Sequence, residues 1–263
     1  LTHAFGEYGI PLEVHPDKPD TVYFGGDSDT LFRSFDFGNT WARFGTKSFR
    51  SPCDIVVLPD SSNIIQVGDG ITGSGIGEIW LSTDGGQTFT KKQNANASEV
   101  PGMASSRGRN SFTLATNWST AGVRQTSDWG QTWPLSPDLN VSGQNVTSSW
   151  GCDIAKDDPN VMVVGQYSGG QTYFSLDGGT VFDPVPLSGT NYSFYLRDRG
   201  TMFAEQQAGV YKFRSTYTYT PVSAQSLSLT APNGGESWGA GSTQAITWTA
   251  QNIGLARIEW RKS

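Results

Sequence analysis

The apolar residues of this chain fall in short alternating runs, each closed by glycine, proline, aspartate or asparagine, and the runs repeat. LEVHPDKPDTVYFGG (Leu12 to Gly26), DIVVLPDSSNIIQVGDG (Asp54 to Gly70) and CDIAKDDPNVMVVGQ (Cys152 to Gln166) share one layout: an apolar strand, a Pro/Asp/Asn turn, a second apolar strand and a glycine. Alternation with period two marks strands, and the turn residues between them mark a hairpin. Further strand-like stretches lie at Leu31 to Arg33, Ile79 to Leu81, Gly122 to Arg124 and Thr172 to Phe174, and helical heptads are absent.

Behind those stretches stands a polar phrase in four copies: SFDFGNTW (Ser34 to Trp41), STDGGQTF (Ser82 to Phe89), TSDWGQTW (Thr126 to Trp133) and SLDGGTVF (Ser175 to Phe182). Its central acids, Asp36, Asp84, Asp128 and Asp177, are 48, 44 and 49 residues apart. A fixed period of this size means repeated supersecondary units. The phrase reads as a tight turn between strands. The Asp carboxylate accepts hydrogen bonds from its own turn, Gly supplies the positive φ, and the final aromatic covers the junction. The four acids are therefore expected to be structural.

Four antiparallel strands per repeat make one blade of a β-propeller. The blades are expected at Phe5 to Gly45, Thr46 to Gln93, Asn94 to Pro137, Asp138 to Leu187 and Ser188 to Val222, the third irregular and the fifth without the turn phrase. The expected fold class is all-β: a propeller with five visible blades, read as part of a ring of about six to eight, over residues 1–224. The texture changes after that. SLSLTAPNGGESWGAGSTQAITWTAQNIGLARIEW (Ser226 to Trp260) predicts strands at Leu227 to Thr230, Ala245 to Thr249 and Ala256 to Trp260. Residues 225–263 are too short for a sandwich of about 100 residues, so a truncated module is expected.

The four turn phrases resemble Asp boxes, also called BNR repeats, of sialidases, sortilin-type receptors and xyloglucan-hydrolysing propellers. Their pairing with a "D-I-x-x-x-P-x-x-P" strand resembles the last two groups more closely. The resemblance covers Leu12 to Phe213 and implies the propeller fold, which hosts unrelated activities. The stretch beginning PNGGESWGAG resembles the opening of Ig-like modules in secreted bacterial proteins.

Composition narrows the field. The 263 residues include 32 Gly and 13 Pro with 12% aromatics, a turn-dense all-β profile, and the net charge of −6 argues against nucleic acid or an anionic membrane as partner. No apolar run approaches the roughly 18 residues of a membrane span. Cys53 and Cys152 sit two blades apart, beyond the reach of a disulfide, so free buried thiols are expected. Asn-x-Ser/Thr triplets at Asn96, Asn117, Asn140, Asn145 and Asn191 are glycan acceptors if the source is eukaryotic.

In a propeller the loops leading into each first strand and joining the second and third strands form the binding face. They carry the candidate ligand-binding residues Asp27, Asp69, Trp118, Trp150, Tyr167 and Tyr192. Carboxylates beside aromatics suit sugars, whose hydroxyls need acceptors and whose CH faces stack on rings. Asp54 and Asp153, each at the start of an innermost strand, are the candidate catalytic pair. The resemblance to xyloglucan-cleaving propellers implies two aspartates, and hydrolysis needs one protonated and one ionised carboxyl about 5 Å apart for retention or about 6.5 to 9.5 Å for inversion. The Arg motif of sialidases is missing. His3 and His15 are too few for a zinc site, and no metal or cofactor is expected.

Two functions stay open: a secreted or cell-surface non-catalytic propeller that presents loops to a polysaccharide or a cell-surface protein, or that assembles with itself through its incomplete tail; and, as the alternative, a glycoside hydrolase.

Overall fold

In the computed structural model, hairpins form where the alternation places them. The structure describes residues 8–70, 77–94, 99–118, 122–139, 146–167, 170–185, 187, 189–214, 226–232, 236–239 and 241–251. Two compact units are present, Leu1–Ser215 and Thr216–Ser263. Among the described residues there are strands and turns and no helix.

The described residues of the first unit form five antiparallel sheets in chain order. Sheet one is β1 (Leu12–Val14), β2 (Val22–Gly25), β3 (Leu31–Ser34) and β4 (Ala42–Phe44); sheet two is β5 (Pro52–Val57), β6 (Ile65–Asp69), β7 (Glu78–Ser82) and β8 (Thr90–Asn94). Sheet three has β9 (Met103–Ala104), β10 (Thr113–Ala115) and β11 (Arg124–Thr126), with a single bridge from Arg124 to Leu135 where a fourth strand belongs. Sheet four is β12 (Ser149–Ile154), β13 (Met162–Gln166), β14 (Thr172–Ser175) and β15 (Asp183–Val185), and sheet five is β16 (Asn191–Asp198), β17 (Thr201–Gln206) and β18 (Gly209–Arg214). The first strands follow one another through space: β1 packs on β5, β5 on β9, β9 on β12, and β12 on β16. Antiparallel sheets stacked radially about their first strands are the architecture of a β-propeller.

The cores lie between consecutive sheets. Tyr23, Leu31, Ile55, Val57, Ile65 and Val67 fill the space between sheets one and two, whereas Val56 and Ile79 turn to Met103, Ala115 and Trp133 of sheet three. Successive residues of β5 thus serve opposite neighbours, and both faces of the strand are buried, which explains its unbroken apolar run. Phe49, Phe112 and Phe182 are among the largest fully buried side chains. Each contributes about 1.5 to 3 kcal/mol by leaving water.

The glycine that closes each second strand has a packing cause. A Cβ on Gly25, Gly68 or Gly165 would approach Pro52, Val100 or Phe194 within 3.0 Å, so the backbone there lies bare against the next sheet.

The repeated turns close on themselves. Asp36 Oδ1 accepts the Ser34 hydroxyl at 2.7 Å and the Thr40 amide at 2.8 Å, Oδ2 accepts the Thr40 hydroxyl at 2.7 Å, and the Gly38 amide donates to Ser34 Oγ at 2.8 Å. Asp84 and Asp128 repeat this set with Thr88 and Thr132. Asp177 departs in one respect: the residue four positions on is Val181, which has only an amide to donate, at 3.0 Å. Gly38, Gly86, Gly130 and Gly179 hold φ of 85, 88, 88 and 85°, a region that favours glycine. The hydrogen bonds from Thr40, and likewise those from Thr88, hold the carboxyls of Asp36 and Asp84 at about 2, below the usual carboxylate range.

The second unit contains one antiparallel pair, β19 (Ser226–Ala231) with β20 (Thr247–Gln251). The strand expected at Ala256 to Trp260 lies outside the described residues.

Candidate functional site

The first strands border a cavity of about 1520 Å³ in the first unit. Three acids enter it from equivalent places: Glu13 on β1, Asp54 on β5 and Asp153 on β12. The sequence reading paired Asp54 with Asp153, and the structure brings both to this one cavity. It also shows what holds them. Asp54 accepts its own strand's Ile55 amide at 2.8 Å on Oδ1 and the Met103 amide of β9 at 2.6 Å on Oδ2. Asp153 accepts the Ile154 amide and Lys156 Nζ on Oδ1, both at 2.8 Å, and the Leu196 amide of β16 at 2.7 Å on Oδ2. The Val57 amide of β5 lowers the Glu13 carboxyl slightly. Asp54 and Asp153 each tie their own first strand to the first strand of the next sheet.

The electrostatics follow from depth. Asp153 is buried, while Asp54 and Glu13 keep partial contact with the cavity and are otherwise surrounded by protein. Burial pushes Glu13 up to about 8, with the charge of Asp54 adding to the rise and Lys156 opposing it. Burial likewise pushes Asp54 up to about 7 against the amides of Met103 and Ile55. Asp153 is also raised by burial, with the Lys156 ammonium opposing it. Taking a carboxylate out of water here outweighs the backbone donors.

Aromatic side chains gather at one end of the cavity. Trp150 and Tyr192 lie at the starts of β12 and β16, and Trp118 and Tyr167 lie just past the ends of β10 and β13. In an antiparallel sheet the start of the first strand and the end of the second share an edge, so these four come together. Trp118 is 5.4 Å from Trp150 and 5.0 Å from Tyr167, Trp150 is 5.1 Å from Tyr167, and Tyr167 is 5.5 Å from Tyr192, all between ring centroids. Tyr8 adds an edge contact to Trp150 at 6.0 Å. All five rings line the cavity.

Other expected site residues lie elsewhere. Asp69, fully buried at the end of β6, accepts the Arg50 and Ser51 amides at 3.2 and 2.8 Å and so fixes the loop leading into β5. Asp27 sits in the turn between β2 and β3 and is not part of the cavity wall. Asn117 and Asn191 have no exposed surface, and their side-chain amides donate to the carbonyls of Gly122 and Gln166. Both side-chain nitrogens are thus engaged inside the fold. Asn96, Asn140 and Asn145 lie outside the described residues. Cys53 and Cys152 are free, buried thiols, placed inside β5 and β12 rather than ahead of them, with burial pushing both well above the usual thiol range. Among the described residues no group of three or more His, Cys, Asp or Glu is placed to hold a metal ion.

Sequence reasoning passed over Tyr8 and Lys156. Tyr8 belongs to no strand, so the period gives no sign of it. Lys156 stands three residues after Asp153, and only that spacing marks it.

No family model matches this sequence, and no curated protein matches it. Solved structures do. An ancestral GH74 enzyme superposes with a TM-score of 0.65 at 18% identity, over 83% of this chain and 31% of the other. The GH74 enzyme of Niastella koreensis superposes with a TM-score of 0.61 at 19% identity, over 81% of this chain and 36% of the other. The chain thus spans about a third of the length of these structures. At such identities the likeness carries the fold alone. Over most of its own length, the chain is a β-propeller that shares its fold with GH74 enzymes.

Proposed function

We propose that this chain is a non-catalytic β-propeller module that binds carbohydrate at the aromatic mouth of its cavity. The observation that carries the reading is the convergence of Trp118, Trp150, Tyr167 and Tyr192, from separate loops, on one cavity of about 1520 Å³. Aromatic faces stack on the CH faces of pyranose rings, and such contacts need no catalytic acid. The hub acids support the non-catalytic side. The same strand-to-strand bond recurs at Asp54 and Asp153, and a staple repeated around a hub is a feature of construction. This reading places the chain outside the cell, where polysaccharide is met, with residues 225–263 as an Ig-like segment for attachment or self-association.

One observation favours a second reading, a glycoside hydrolase. Asp54, pushed up to about 7, shares the cavity with Asp153, and hydrolysis pairs a protonated carboxyl with an ionised one. Because the structural neighbours are GH74 enzymes, plant glucans belong in the test. Calorimetric titration with xyloglucan and mixed-linkage glucan oligosaccharides, alongside a reducing-end assay, separates the two. The binding module predicts affinity without turnover, and a loss of at least about tenfold in affinity for Trp150→Ala, the equivalent of about 1.4 kcal/mol. Turnover that disappears in Asp54→Asn or Asp153→Asn would establish the hydrolase instead.

A further inference from the structure

The mouth of the cavity holds charge as well as rings, and the charge has one sign. Glu205, exposed on β17, lines the same cavity as Tyr192 and accepts the Ser193 hydroxyl at 2.9 Å. It stands opposite Ser193, the residue after Tyr192, in the register of β16 and β17, which places the carboxylate beside the aromatic row. Glu99 also lines the cavity, but its side chain is buried, so the exposed charge at this end is that of Glu205.

The two cations of the cavity wall stand at the opposite ends of the strands. Arg107, in the turn between β9 and β10, is bound to the carboxylates of Asp17 and Asp60 and to the Pro16 carbonyl. Lys156, just past the end of β12, is bound to Asp153 at 2.8 Å. The rings and Glu205 therefore share one end, and both basic groups are engaged at the other. A neutral sugar satisfies the rings and leaves Glu205 to water. An acidic sugar meets like charge. A sugar bearing an ammonium group satisfies both, because the cation is attracted to carboxylates and to the faces of aromatic rings.

We propose that the mouth is selective for a protonated amino sugar, a glucosamine-containing oligosaccharide of the kind produced by deacetylating chitin, over its N-acetylated, neutral and acidic counterparts. This rests on the carbohydrate reading of the same site. The amine at C2 projects from the ring edge while the CH face stacks on Trp150 or Tyr167, and Glu205 receives the charge at the rim. The interaction is electrostatic and partly exposed, so it weakens with salt.

The test is calorimetric titration of the whole chain at pH 6 and low salt with five probes: glucosamine hexamer, N-acetylglucosamine hexamer, cellohexaose, trigalacturonate and hexalysine. The expected result is that the glucosamine hexamer binds at least about tenfold more tightly than the N-acetylated hexamer and cellohexaose, consistent with an exposed ion pair and a cation–π contact together. Trigalacturonate and hexalysine are expected to bind far more weakly. Glu205→Gln, at an exposed position, should bring the glucosamine preference to within about threefold while leaving cellohexaose affinity unchanged, and raising the salt should act in the same direction.

Equal affinity for the acetylated and free-amine hexamers, or a preference untouched by Glu205→Gln, overturns the proposal and leaves the carbohydrate reading standing, provided that Trp150→Ala still weakens binding at least about tenfold. Hexalysine binding as tightly as the glucosamine hexamer overturns it in favour of a basic peptide. If no sugar binds, or if Trp150→Ala changes nothing, the carbohydrate reading itself fails.

Discussion

Two sets of repeated carboxylates perform the same task in opposite surroundings. Those of the turns, Asp36, Asp84, Asp128 and Asp177, accept amides and hydroxyls within four residues and face water. Those of the hub, Glu13, Asp54 and Asp153, sit deep in protein, and Asp54 and Asp153 accept amides from the next sheet. The donors are comparable, yet Asp36 and Asp84 are drawn down to about 2 while Asp54 and Glu13 are driven up to about 7 and 8. Burial is the largest cause of the difference, and the charges of neighbouring acids add to it. In the turns, hydrogen bonding wins because water still solvates the charge; in the hub, desolvation wins although the backbone donors are present. A raised carboxyl beside another acid is therefore no sufficient mark of catalysis, since a structural staple in a dry hub produces the same signature.

The comparison breaks most readily at Asp153. Replacing it with alanine leaves the Leu196 and Ile154 amides buried without their acceptor, and at about 1 to 3 kcal/mol per unsatisfied group the loss should be about 2 to 6 kcal/mol in urea unfolding followed by tryptophan fluorescence. Asp153→Asn keeps one acceptor oxygen and should retain roughly half of that. A loss well under 1 kcal/mol for the alanine variant would show that the staple contributes little.

A smaller effect, opposite in sign at the two sites, is expected on pH. The turn carboxyls ionise more readily in the fold than in the unfolded chain, so their contribution is present above about pH 4 and is lost as pH falls through about 2. The hub carboxyls ionise less readily in the fold, so theirs is fully present below about pH 4 and is lost as pH rises through about 7 for Asp54 and about 8 for Glu13. Stability should therefore peak near pH 4. Glu13→Gln should flatten the neutral limb and Asp84→Asn the acid limb; the reverse assignment of limbs would invert the comparison.

Least costly is a single turn. Asp128→Ala, at a partly exposed position whose amides can turn to water, should cost about 1 kcal/mol, near the net worth of one hydrogen bond. A loss as large as that of Asp153→Ala would mean that the turns and the hub are not distinguished by burial.

These contrasts also explain what the sequence made legible. The turn bonds close within four residues, so the string S-x-D-x-G-x-T contains donor, acceptor and glycine together. The sheets follow from alternation, which is equally local. The hub staples join residues 49 and 43 positions apart, so the sequence marks Asp54 and Asp153 as special without showing their partners, Met103 and Leu196. The aromatic mouth was readable because strand ends fix which loops share an edge, and Trp118, Trp150, Tyr167 and Tyr192 all lie there. Asp69 was not, because a strand's terminal side chain can point into the packing as well as out of it, and this one turns inward beneath Arg50 and Ser51.

The most direct test is a carbon-13 titration of the side-chain carboxyls. The account predicts that Asp36 and Asp84 titrate near pH 2 while Asp54 and Glu13 titrate near 7 and 8 in the same sample. Hub carboxyls that ionise with the turn carboxyls, below the usual range, would contradict it, because burial would then not govern the hub.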